Sequence, residues 1–184
     1  MLDLTEDTLA ADVVVRRSPE TTVDIRHGEA DEPPLVGLAH GALWARAEPT
    51  GPGVDVGHGS LNVVVRGGTV LLDAQGGAGL LIVLRGEVEV SAHGEVLRTA
   101  RAGEALPFDD AGSVGDPDPV DAAELAHDPF ISLNLVLDSL AGVPTGLDDL
   151  PEPALVGAGP TEADGDGDGD EGAPRKRRFG GRKR

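Results

Sequence analysis

Between Val54 and Phe108 the chain is written as short Val/Leu-rich pieces separated by glycines and polar turns. That punctuation is the signature of an antiparallel β-domain. Leu61–Val65, Thr69–Leu72, Leu80–Leu84, Val88–Val90 and Val96–Arg98 stand out as strands, with tight turns expected at Arg85-Gly86 and His93-Gly94. In Gly86–Ser91 the apolar residues alternate with Glu87 and Glu89, so one face is buried and the other wet. Leu80–Leu84 is apolar throughout, as in a strand covered on both faces. The expected fold is all-β, an antiparallel sandwich-like or short solenoid-like domain with one or two C-terminal helices and a disordered tail.

The core must be built from aliphatic side chains, because Trp44, Phe108, Phe130 and Phe179 are the only aromatics. With 184 residues the chain is long enough for one domain of about 100–150 residues plus tails. Residues 1–12 read as a polar lead-in, frayed or forming one short helical turn. Val13–Arg16 and Thr22–Arg26 read as strands around the turn at Ser18-Pro19, and Glu29–Pro34 as a loop. Leu35–Leu38 and Ala42–Ala47 read as two strands parted by Gly41, with Trp44 anchoring the core, and Glu48–Gly53 as a turn cluster. The β-domain therefore spans 13–108, and 109–142 forms a loop followed by a helical appendage.

Two helices are expected in that appendage, over Val120–Ala126 and Asp128–Ala141. The second has Asp128 placed to cap it, Pro129 at its first position and Gly142 just past its end. Phe130, Leu133, Leu137 and Leu140 fall on one stripe, widened by Val136. The stripe must cover something: the β-domain or a partner protein.

Charge divides the chain sharply. The formal net charge is −18, yet Arg175, Lys176, Arg177, Arg178, Arg182, Lys183 and Arg184 sit together at the C-terminus around Phe179. The preceding 174 residues carry 33 acids against 8 arginines, a net of −25. Such a body repels nucleic acid and anionic lipid, while the tail suits either as a non-specific partner. The same cationic tail can equally fold back on the acidic body. Residues 143–184, punctuated by prolines and then by Gly/Asp repeats, read as a disordered acidic linker and basic tail.

Motifs for chemistry are sparse. There is no cysteine, which excludes disulfides, thiol chemistry and Cys-ligated metals. Asp164–Gly169 opens like a calcium loop, but position twelve is Arg175 where an EF-hand needs Glu, so it reads as a solvated linker. His27, His40, His58, His93 and His127 never form an HxH or HxxxH pair, which leaves surface and turn roles. Gly57-His58-Gly59-Ser60 lacks a nucleophile elbow and reads as a turn into the next strand. Arg101–Phe108 begins like a cyclic-nucleotide phosphate cassette, but Asp109 and Asp110 stand where a phosphate would bind. No cofactor, metal or catalytic residue is expected. No apolar run approaches the roughly 18 residues of a membrane span, and the acidic start lacks a secretory pattern, so a cytoplasmic protein is expected.

Three segments together resemble the FecR domain family: Pro52–Ser60, Gly79–Val90 and Arg101–Glu104. Thr50 and Pro52 match the family's TP, Gly59-Ser60 its GT, Val83-Leu84-Arg85-Gly86 its hairpin turn, and RAGE its L-x-x-G-E/Q segment. The likeness runs from about Val13 to Phe108. It implies an all-β domain that binds proteins, in a family whose known members sit at a membrane, relay an outside signal and control a sigma factor. This chain shows neither a transmembrane helix nor a long N-terminal helical region. The resemblance therefore implies a non-enzymatic regulatory or scaffolding module with an unidentified protein partner. Phe130, Leu133, Leu137 and the basic tail are its candidate contacts, and open sheet edges leave room for a dimer. The alternative is a cupin-like or cyclic-nucleotide-type sensor, which requires a closed barrel around a pocket of roughly 300–1,000 Å³.

Overall fold

The computed structural model describes residues 3–29 and 32–144. Twelve strands form two layers: β1 (Thr5–Ala10), β2 (Val13–Arg17), β3 (Thr22–Arg26), β4 (Leu35–Ala47), β5 (Val54–His58), β6 (Leu61–Val65), β7 (Gly68–Gln75), β8 (Ala78–Arg85), β9 (Glu87–Ala92), β10 (Glu95–Arg101), β11 (Glu104–Asp109) and β12 (Asp118–Pro119). Two helices follow, α1 (Ala122–His127) and α2 (Pro129–Leu140). The first layer runs β1-β2-β4-β7-β8-β11-β12 and the second β3-β4-β5-β6-β9-β10. Neighbours are antiparallel except β4 and β5, whose Leu35–Gly37 and Asp55–Gly57 pair in parallel. The expected all-β fold is present, as a sandwich of mixed sheet rather than a solenoid.

One strand belongs to both layers. Leu35–His40 of β4 pairs with β3 in the second layer, and Gly41–Ala47 pairs with β7 in the first. What the sequence presents as two strands is one, bent where Gly41 takes φ +98°. A side chain there would be strained by the backbone angle and driven to 2.5 Å from Thr21 Oγ1. Gly86 (φ +76°) is a second such joint. The chain passes through it from β8 in the first layer to β9 in the second, so Arg85-Gly86 is a crossover and not the expected hairpin turn. A Cβ on Gly86 would lie 2.4 Å from Gly67 O. The β9–β10 connection at His93-Gly94 is a two-residue turn joining Ala92 to its partner Glu95.

The N-terminal segment departs from expectation. Thr5–Ala10 is neither frayed nor helical but pairs with β2 as the outer strand of the first layer. Its sequence, TEDTLA, holds no apolar run, so only tertiary pairing makes it a strand.

Alternation sets the core. Val13, Val15, Leu43, Ala45, Val70, Leu72, Leu81 and Val83 point from the first layer toward Val36, Val54, Val56, Val63, Val88 and Val90 of the second. The opposite face of the first layer carries Trp44, Leu71, Ile82 and Leu84, and Leu125, Phe130 and Ile131 of the helices cover them. The apolar run of β8 follows from burial on both faces over Leu81–Leu84, while Leu80, expected to be covered as well, is 38% exposed. On β9, Val88 and Val90 are buried while Glu87 and Glu89 face outward, because no element among the described residues covers the outside of the second layer. His58 is not a surface residue. It is 7% exposed, its Nδ1 lies 2.9 Å from Leu38 O, and its ring packs on Phe108 at a centroid distance of 5.5 Å. His93 does sit at a turn, its Nε2 2.9 Å from Ala111 O.

Candidate protein-interaction surface

The helix α2 starts where its local sequence says it must. Asp128 Oδ1 accepts hydrogen bonds from the backbone N–H groups of Phe130 (2.8 Å) and Ile131 (2.9 Å), and Pro129 occupies the first turn without needing a partner. Asp121 caps α1 in the same way, accepting from Ala123 N at 2.8 Å.

Of the two roles left open for the leucine stripe, covering the sheet is not the one it takes: α2 turns a different face inward. Its buried residues are Phe130, Ile131, Asn134 and Asp138. Of the anticipated stripe only Phe130 is buried. Leu133 and Leu137 are half-buried, while Val136 and Leu140 are 47% and 79% exposed. The apolar stripe is thus rotated toward solvent.

A buried polar cluster produces the rotation. Asp138 accepts hydrogen bonds from Arg16 Nη1 (2.7 Å), Arg46 Nη1 (3.0 Å) and Trp44 Nε1 (3.0 Å). Arg16 also donates to Glu6, and Asn134 Nδ2 donates to Phe130 O at 2.8 Å. Burial alone would lower the Arg16 pKa, but hydrogen bonds to Glu6 and Asp138 outweigh it and raise the value, so the guanidinium stays charged. Arg16, Trp44 and Arg46 lie on the outer side of β2 and β4, where alternation places them. Two cations facing the helix demand a carboxylate in return, and Asp138 meets that demand at the cost of exposing leucines. Sequence reasoning missed Arg16, Arg46, Asn134 and Asp138. The one available signal was the outward parity of Arg16, Trp44 and Arg46 in strands that otherwise bury aliphatics.

The expected tail contacts Arg175, Lys176, Arg177, Arg178, Phe179, Arg182, Lys183 and Arg184 lie outside the described residues, as does the Asp164–Gly169 repeat. Among the described residues no group of three His, Asp or Glu is placed to hold a metal ion, and no helix is long and apolar enough to cross a membrane. Between the layers the space is filled by aliphatic side chains. An open groove of about 230 Å³ lies on the outside of the second layer.

No protein-family model matches this chain, and no curated protein does. Among the solved structures that share its fold, two are described as candidate anti-sigma factors from Parabacteroides distasonis ATCC 8503. The one at 2.50 Å resolution has 18% identity and a TM-score of 0.54 over 74% of this chain and 69% of its own. The one at 1.65 Å has 17% identity and a TM-score of 0.55 over 76% and 71%. At such identity the likeness establishes the sandwich architecture.

Proposed function

We propose that this chain is a non-enzymatic, FecR-like regulatory module. It binds a protein partner through the outward edge of α2, where Leu133 and Leu137 are flanked by Val136 and Leu140. The observation that carries this reading is the clamp of Asp138 on Arg16, Arg46 and Trp44, which fastens the helix by its polar side and leaves the leucines for another surface. Amphipathic helices that offer such an edge are read by grooves on partner proteins. The fold likeness to candidate anti-sigma factors makes a sigma factor the first partner to test. The basic segment Arg175–Arg184 adds a second contact, for an anionic partner. A cupin-like sensor is the poorer reading, since the layers enclose packed valines and leucines.

The test is co-purification from the native host, comparing the parent with a Leu137→Glu/Leu140→Glu variant by quantitative mass spectrometry. A protein retained by the parent and lost from the variant, with unchanged melting, supports the proposal. Equal retention by both overturns it. For the tail, deletion of Arg175–Arg184 should abolish binding to duplex DNA or anionic vesicles at low salt; no loss removes the anionic partner.

A further inference from the structure

The outer face of the second layer, which no element among the described residues covers, is laid out in cross-strand rows by the register. One row reads Arg26, Leu35, Asp55, Val64, Glu89 and Thr99 across six strands. The next reads Asp24, Gly37, Gly57, Asn62 and Ser91. Gly37 and Gly57 are direct partners, so the second row has a gap two strands wide, and that gap is the floor of the 230 Å³ groove. Neither glycine is required by the fold. Neither has a positive φ, and a Cβ on either would meet nothing nearer than 3.7 Å. The trough exists because side chains are missing there, not because they would clash.

Charge on this face is unbalanced. Arg26 is paired with Asp24 and Arg101 with Glu87, both at 3.0 Å. Asp55 and Glu89 have no cation within ion-pair distance among the described residues, and Asp55 Oδ1 is buried with no hydrogen-bond donor. Burial raises the Asp55 carboxyl above its ordinary range; Arg66 offsets part of the rise and Glu89 adds to it. The groove is smaller than the roughly 300–1,000 Å³ of small-molecule sites but has room for a long side chain. Leu35, 47% exposed, and half-buried Val64 flank Asp55 and offer an apolar bed for an aliphatic stem.

We propose that this trough is a second docking surface, distinct from α2, for an extended basic segment of a partner protein. A Lys or Arg of the segment lies over Gly37 and Gly57 with its stem against Leu35 and its cationic head on Asp55. Glu89, two strands further along the same row, takes a second cation. An acidic face excludes nucleic acid by repulsion, and a single half-buried carboxylate does not make a metal site.

The test uses the full chain and a fluorescein-labelled peptide of sequence GVRVRVG, followed by anisotropy at low and moderate salt. Saturable binding is expected, weakening with salt, with no binding of GVEVEVG. Gly57→Thr fills the trough and should weaken binding at least tenfold while the melting temperature holds; Gly37→Val is the second variant should Gly57→Thr fail to fold. Asp55→Asn should weaken binding at least threefold and flatten the salt dependence. Leu140→Asp, on α2, should leave peptide affinity unchanged, which separates failure of this proposal from failure of the α2 reading. No peptide binding, equal affinity in the folded trough-filling variants, or loss of binding in Leu140→Asp alone would overturn it.

Discussion

Removing the Asp138 carboxylate tests how the helix is held. Asp138 is 2% exposed and accepts from two guanidinium groups and an indole N–H, so Asp138→Ala leaves all three facing a void under α2. Deleting one partner of a buried ion pair costs about 3–5 kcal/mol. The lower end applies here, because Arg16 keeps Glu6 and the Arg46 side chain, 12% exposed, can turn toward water. At about 3 kcal/mol, and roughly 3 °C per kcal/mol for a domain of this size, the melting midpoint should fall by about 10 °C. The assay is built into the chain. Trp44 is the one tryptophan and there is no tyrosine, so intrinsic fluorescence reports on this cluster directly. Emission should shift to the red in Asp138→Ala. In the double variant Arg16→Met/Asp138→Leu, apolar groups replace the pair, and most of the lost stability should return. An Asp138→Ala protein that melts within about 0.5 kcal/mol of the parent with unshifted emission would refute the clamp.

Asp55 gives a pH-dependent counterpart. Its folded carboxyl has a raised pKa, so its charge opposes folding once pH exceeds that value, and the opposition vanishes below the unfolded value of about 3.9. With Asp24, Arg26, Glu89 and Arg66 as the charged groups around it, Asp55→Asn should be more stable than the parent at pH 7. The two should converge as pH falls toward 3; an advantage that grows on acidification contradicts the assignment. Gly86→Ala forces a Cβ against the Gly67 carbonyl at a positive φ, and urea titration should show a loss of about 2 kcal/mol or more. Asp128→Ala removes two capping bonds, should cost about 1 kcal/mol, and should increase acrylamide quenching of Trp44 as the first turn of α2 frays.

The β-character of the chain was legible because its cause is local. Alternation in β9 and the burial of Leu81–Leu84 in β8 are read from a few adjacent residues, and both describe the faces those strands present. The start of α2 was legible for the same reason, since Asp128, Pro129 and the two N–H groups they serve lie within one turn. What escaped was whatever depends on distant partners. β1 has no apolar pattern and is a strand because β2 offers it an edge. Gly41 and Gly86 read as ordinary turn glycines, and only the pairing reveals that the chain changes layers at each. Spacing marked the leucine stripe of α2 but could not say whether it faces the sheet; the deciding partners, Arg16 and Arg46, lie 122 and 92 positions away from Asp138.

Both exposed surfaces follow from one asymmetry in the strands. Outward positions of the first layer hold Trp44, Leu71, Ile82 and Leu84, which water would disfavour, so that face needs a cover and the helices supply it. Outward positions of the second layer are mostly polar or glycine (Asp24, Gly37, Asp55, Asn62, Glu87 and Glu89), with Leu35 and Val64 the apolar exceptions, so that face has far less need of a cover. The covering helix is then constrained by the two arginines that share the first layer's outer face with those apolar groups. Satisfying them turns Asp138 inward and Leu140 outward. A chain whose β2 and β4 carried leucine in place of Arg16 and Arg46 would have no reason to expose that edge. Arg16→Leu/Arg46→Leu/Asp138→Leu should accordingly fold, bind its leucine stripe to the sheet, and lose whatever partner the exposed edge of α2 engages.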